Sequence, residues 1–182
     1  MLEIPSQLEI LPYSPKLEHT PAREVLPEDV PRLPRLIKEM VRLCKQYDGE
    51  GIAAPQVGVF LRLAVVLNDN EIIPLVNPRI TSFGGKDLLD YEGCLTFPPC
   101  DTNQARVWRS ESIHLENGTL KDPTLHQKFT YTDWLARVIQ HEVDHLNPQG
   151  AIFFINRVGP IAKKLVLERM KSQPWQKMEA AS

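Results

Sequence analysis

The chain has 182 residues, of which 42% are hydrophobic and 24% charged, with a formal charge of -2. This length and balance suit one globular domain with a real core and exclude disorder. They also exclude a broad basic face for DNA. No apolar run approaches the roughly 20 residues that span a bilayer, and the start, MLEIPSQLEILPYSP, lacks the basic and apolar regions of a secretory signal. Three cysteines, Cys44, Cys94 and Cys100, are too few and odd in number for a disulfide framework. The expectation is a cytoplasmic protein with free thiols.

Residues 1–34 carry seven prolines and read as an extended arm, since proline fixes φ and removes a donor. Leu36, Ile37, Met40, Val41 and Cys44 then recur at helical spacing, with a stop expected at Asp48-Gly49. Leu61–Leu67 and Ile72–Val76 read as strands. Val107–Leu115 and Leu125–Tyr131 form an expected hairpin about Asn117-Gly118. Thr132 or Asp133 can cap a helix from Trp134 to Leu146, stopped by Asn147-Pro148. A short strand at Ala151–Ile155 and a last helix over 160–173, opened by Pro160, complete the order. Helices and strands do not alternate, no repeat is visible, and no linker divides the chain. One α+β domain over 1–182 is expected.

The sharpest feature is His141-Glu142-Val143-Asp144-His145. Residues four apart share a helix face, so both imidazoles can reach one ion. Leu135, Ile139, Val143 and Leu146 form an apolar stripe that assigns the helix independently. Glu142 lies between the two faces, near enough to act as a general base without ligating. Such a motif also arises by chance on a solvated helix, so a third ligand matters. His19, His114 and His126 have no downstream ligand spacing. Cys94, in Glu92-Gly93-Cys94-Leu95-Thr96, is the better candidate, although a single cysteine is more often a small buried hydrophobe.

Three segments together resemble the peptide deformylase family: Gly49-Glu50-Gly51-Ile52-Ala53-Ala54-Pro55-Gln56-Val57, Glu92-Gly93-Cys94-Leu95-Thr96, and Gln140-His141-Glu142-Val143-Asp144-His145-Leu146. The likeness runs in order from about Leu36 to about Arg157. It implies an α+β fold of small mixed sheets around the HExxH helix, and removal of formyl groups from N-formylmethionyl peptides. It implies that Cys94, His141 and His145 hold one divalent metal, ferrous iron in the cell, with zinc, nickel or cobalt as substitutes. Glu142 would be the acid/base residue. Gln56 and the N–H of Leu95 would bond the formyl oxygen, and Gly51, Glu50, Glu92 and Gly93 would line the substrate.

The chain departs from the family pattern at several places. Glu50 stands at an aliphatic position and Thr96 replaces a serine. Phe97-Pro98-Pro99-Cys100-Asp101 lacks the usual Pro-Gly and arginine, and Asn147-Pro148-Gln149-Gly150 is longer than the usual turn. The arm lacks the Asp-Pro-x-Leu opening. None touches the ligands or Glu142, so an active enzyme with shifted peptide preference is expected. Two other readings remain: an amidase or peptidase acting on another N-acyl substrate, and a non-catalytic domain stapled by metal. Lys163, Lys164, Arg169 and Lys171 on the last helix suggest a ribosome contact, against the plainer reading of a docked helix with a solvated basic face.

Overall fold

The computed structural model describes residues 4–12, 17, 20–69, 71–96 and 105–147. The expected strand at 151–155, the expected helix at 160–173 and the run from Phe97 to Asp101 lie outside them. Among the described residues the order is a 3-10 turn (Pro27–Arg32), α1 (Leu33–Gln46), β1 (Gly51–Ala53), a 3-10 turn (Ala54–Val57), β2 (Leu63–Asn68), β3 (Glu71–Glu92), β4 (Ala105–Gly118), β5 (Gln127–Thr132) and α2 (Asp133–Leu146).

Helix α1 buries Leu33, Leu36, Met40, Leu43 and Cys44, the three-and-four spacing of one helix face. Each large aliphatic there contributes about 1.5–3 kcal/mol by leaving water. The helix ends where Asp48 turns to a φ of 51°, and the Gly49 N–H bonds back to the Cys44 carbonyl at 2.8 Å.

The strands form one sheet in the order β1-β2-β3-β4-β5. The α+β expectation holds, but the four strand pairs are antiparallel rather than mixed. Each strand pairs with its neighbour in sequence, the usual arrangement of consecutive strands. The parallel pairing found is an isolated bridge, Arg23 to Leu61, that docks the arm. Leu63-Ala64-Val65-Val66 is a continuous apolar run because both faces of β2 are covered. Leu63 and Val65 join the core under α1, and Ala64 and Val66 join the core under α2.

Strand β3 runs for 22 residues, far beyond the expected Ile72–Val76. Its distal part is polar and exposed, so no apolar period marks it. Ladder bonds to β4 hold it instead, with register shifts at Val76/Arg79, Ile80/Ser82 and Gly84/Asp87. The expected turn at Asn117-Gly118 is displaced. β4 continues through Gly118, and the turn is built by Thr119 and Asp122, whose N–H groups bond to the Asp122 carbonyl and the Thr119 hydroxyl at 3.1 and 3.0 Å. Asn117 is buried, accepting from the Val76 N–H at 2.7 Å and donating to the Pro74 carbonyl at 2.9 Å. A Cβ on Gly118 would stand 2.6 Å from the Pro123 carbonyl oxygen, so close backbone approach is why glycine is there.

Candidate metal centre

Helix α2 is buried over most of 136–146. Its apolar side meets β1, β2 and β4, while His141 and Glu142 on its other side are also buried, at 8% and 3% exposure. Cys94 follows the end of β3, which delivers its thiol to this face. Cys94 Sγ lies 3.3 Å from His145 Nε2, and His145 Nε2 lies 3.2 Å from His141 Nε2. Donors about 2.0–2.3 Å from a tetrahedral ion stand roughly 3.3–3.6 Å apart. Two of the three separations are close to such edges and all three atoms lie within 4.8 Å of one another, so the residues fit the metal that their chemistry implies. His114 and His126 are exposed and away from the cleft, and His114 Nδ1 is engaged with the Thr130 hydroxyl at 3.0 Å.

The orientation of His141 is set from behind. Its Nδ1 lies 3.0 Å from Glu92 Oε2, which turns Nε2 and its lone pair toward Cys94 and His145. Glu92 was expected against substrate, and it does line the cleft. Its two oxygens are nevertheless committed elsewhere. Arg109 donates to both at 2.9 Å, and Arg137 donates to Oε1 at 2.7 Å. Burial works against the Glu92 carboxylate, but His141 and Arg109 hold it well below the usual carboxylate range. Arg109 also donates to Asp144 at 2.6 Å, which ties the network to α2. Burial likewise opposes a Cys94 thiolate, yet His145 and His141 overcome it and keep the thiol strongly acidic.

The catalytic candidates converge on the same ligands. Gln56 is 2% exposed, and its Oε1 accepts from the Ala53 N–H at 2.7 Å. That bond turns the amide nitrogen toward Thr96 Oγ1 at 2.9 Å and Cys94 Sγ at 3.8 Å. Glu142 Oε2 is buried with no hydrogen-bond partner among the described residues. Burial pushes this carboxyl up to about 7, against the opposing influence of His141 and His145. A Cβ on Gly51 would lie 2.5 Å from Glu142 Oε1, so only glycine lets β1 pass this close. Leu95 packs its side chain over Gly49 into the α1 core, and Gly93 and Glu50 are exposed at the cleft. The cleft holds about 400 Å³, room for a side chain and a short stretch of peptide.

A family model of polypeptide deformylase matches residues 7–164. The chain belongs to that family. It is 40% identical over 116 residues to a peptide deformylase of Dictyoglomus thermophilum, covering 64% of this chain and 72% of that one. The crystal structure of the Thermotoga maritima peptide deformylase superposes with a TM-score of 0.74 at 29% identity, covering 85% of this chain and 99% of that one. A peptide deformylase from Acinetobacter baumannii, solved with Met-Ala-Ser bound, superposes at 0.73 and 28% identity, covering 84% and 98%. Members of the family are metal-dependent hydrolases of N-formylmethionyl peptides, and the Cys94, His141 and His145 cluster is where a deformylase of this sequence can hold its ion.

Arg109, Arg137 and Asp144 were not singled out from the sequence. One signal was available for Arg109. Val107 and Arg109 share the inward parity of β4, and an arginine at an inward position needs buried partners.

Proposed function

We propose that this chain is a peptide deformylase, a single catalytic domain that hydrolyses the formyl group from N-terminal formylmethionine and releases formate. The observation that carries the reading is the convergence of Gln56 Nε2, Glu142 Oε2 and the three ligand atoms on one cleft. A divalent ion held by Cys94, His141 and His145 supplies the Lewis acidity that makes water nucleophilic near neutral pH. Glu142 accepts a proton from the attacking water on its unpartnered oxygen and returns it to the leaving nitrogen. The Gln56 amide and the Leu95 N–H donate to the formyl oxygen as negative charge builds there, and each such donor is worth about 10²–10³ in rate. Gly51, Glu50 and Gly93 border the peptide, while Glu92 serves by orienting His141.

The metal we assign is ferrous iron, with zinc, nickel or cobalt able to replace it. The soft thiolate beside two imidazoles supports this donor preference without fixing one ion. Cytoplasmic nascent chains are the substrates of this reading. Lys163, Lys164, Arg169 and Lys171 support a ribosome contact, which co-sedimentation surviving deletion of residues 160–182 would remove. The Met-Ala-Ser bound to the Acinetobacter enzyme suggests the probe. Formyl-Met-Ala-Ser should be turned over faster than acetyl-Met-Ala-Ser by about 10–200-fold, the discrimination that one added carbon typically gives. Equal turnover of both would favour a general N-acyl amidase.

A further inference from the structure

The last four carbonyls of any helix lack partners within it. In α2 these belong to Val143, Asp144, His145 and Leu146, so a metal-ligand candidate sits in the turn most prone to fray. The Asn147 N–H takes the Asp144 carbonyl at 3.2 Å. The Leu146 carbonyl is taken from across the fold, by Arg62 Nη1 at 3.0 Å. The same nitrogen donates to Asn147 Oδ1 at 3.1 Å. Arg62 Nη2 donates to the Pro78 carbonyl at 2.9 Å, within the register shift between Val76 and Arg79.

The backbone of Arg62 is anchored just as firmly. Its N–H donates to the Arg23 carbonyl at 2.7 Å, and its carbonyl accepts from the Asn77 N–H at 2.8 Å. Asn77, at a φ of 48°, is in turn fixed by Val25, whose N–H it accepts at 2.8 Å. Arg62 therefore reaches the end of α2 from a point tied to the arm, β2 and β3 together. The described hydrogen bonds of its guanidinium all go to carbonyl or amide oxygens, and none to a carboxylate. A cation meeting the exposed carbonyl end of a helix is favoured by the helix dipole.

We propose that Arg62 is a positioning residue for the metal centre. By capping α2 from β2 it keeps the last turn helical and holds His145 in register with His141 and Cys94. The inference rests on the metal-site reading above, but its tests do not pass through deformylation.

The experiment uses the full chain loaded with Co²⁺ or Ni²⁺, with Arg62→Met, Arg62→Lys and, as a stability control, Leu36→Ala, which opens the core under α1 rather than the one under α2. Metal transfer to excess chelator is followed at a temperature well below every Tm. Partners that orient a ligand typically change metal affinity by about 10–100-fold. Arg62→Met should release metal faster by about that factor, with Arg62→Lys between it and wild type. Backbone hydrogen exchange should rise over residues 144–147 but not over 133–140, while Leu36→Ala leaves both readouts near wild type. If Arg62→Met does not fold, the lysine variant decides, and wild-type metal release and exchange in it would overturn the proposal. Metal release that tracks Tm equally in the arginine and leucine variants would also overturn it, by reducing Arg62 to general stability. Failure of wild type to bind metal would instead bring down the functional reading itself.

Discussion

At the scale of single residues, the account turns on contacts that tolerate no added atom. Gly51 is the clearest, because a methyl there would intrude on Glu142 at 2.5 Å. Gly51→Ala should lower kcat by about 10², the cost of an ångström-scale misplacement of a reacting group, with metal content unchanged. Wild-type kcat in a folded, metal-loaded Gly51→Ala would show that Glu142 does not act from this position. Glu50, its neighbour, is exposed at the cleft and brings a carboxylate where the resemblance implies an aliphatic residue. Glu50→Val should reduce the ratio of kcat/KM for formyl-Met-Lys-Ser over formyl-Met-Asp-Ser by a few-fold, the scale of a screened surface charge. An unchanged ratio would place Glu50 outside the peptide's reach. Much of this was legible in the sequence, since Cys94, His141, His145, Glu142 and Gln56 do converge. Glu92 was legible only in part. Its position in the motif placed it at the site, but the commitment of its oxygens depends on Arg109 and Arg137, which lie distant in sequence.

Elements were legible where burial writes a period into the chain. Helices α1 and α2 are such cases, each with one apolar side at three-and-four spacing. The distal part of β3 is the opposite case, because backbone pairing leaves no apolar trace. Asn117-Gly118 carries the usual composition of a turn, yet its amide bridges two strands and the turn falls after it. Buried ion pairs join the elements around the site. Arg109→Leu should destabilise the fold by about 3–5 kcal/mol, because Asp144 and part of Glu92 lose the cation that balances them in the interior. A shift below about 1 kcal/mol in urea unfolding would mean that those carboxylates are solvated or protonated instead. The arm is held by Asp29, which accepts two bonds from Arg23 at 2.7 and 3.0 Å and the Leu26 N–H at 3.0 Å. The Arg23 guanidinium holds the Asp29 carboxyl below its ordinary value, against the cost of burial. A lowered folded pKa contributes stability above the unfolded value near about 4 and loses it as pH falls through the folded value. The Tm difference between wild type and Asp29→Asn should therefore be largest at neutral pH and shrink on acidification below about pH 4. A constant difference across that range would contradict the ion pair as its source.

On the scale of the whole molecule, the sheet has one core under α1 and another under α2, and the cleft opens where β1, the end of β3 and α2 meet. Two covered faces bury this junction, which suits a site that must hold three ligand atoms within 4.8 Å of one another. The fold class was legible because local elements rarely needed distant partners to be recognised. The joining of the five strands among the described residues in one antiparallel sheet was not, because pairing is decided between strands rather than within them. The most direct test of the central claim is formate release from formyl-Met-Ala-Ser. It should be run anaerobically with protein loaded in turn with Fe²⁺, Ni²⁺ and Zn²⁺, beside Glu142→Ala. Formate from wild type and almost none from an equally metal-loaded, folded Glu142→Ala is the predicted result. No formate from folded, metal-loaded wild type, or equal formate from both proteins, would contradict it.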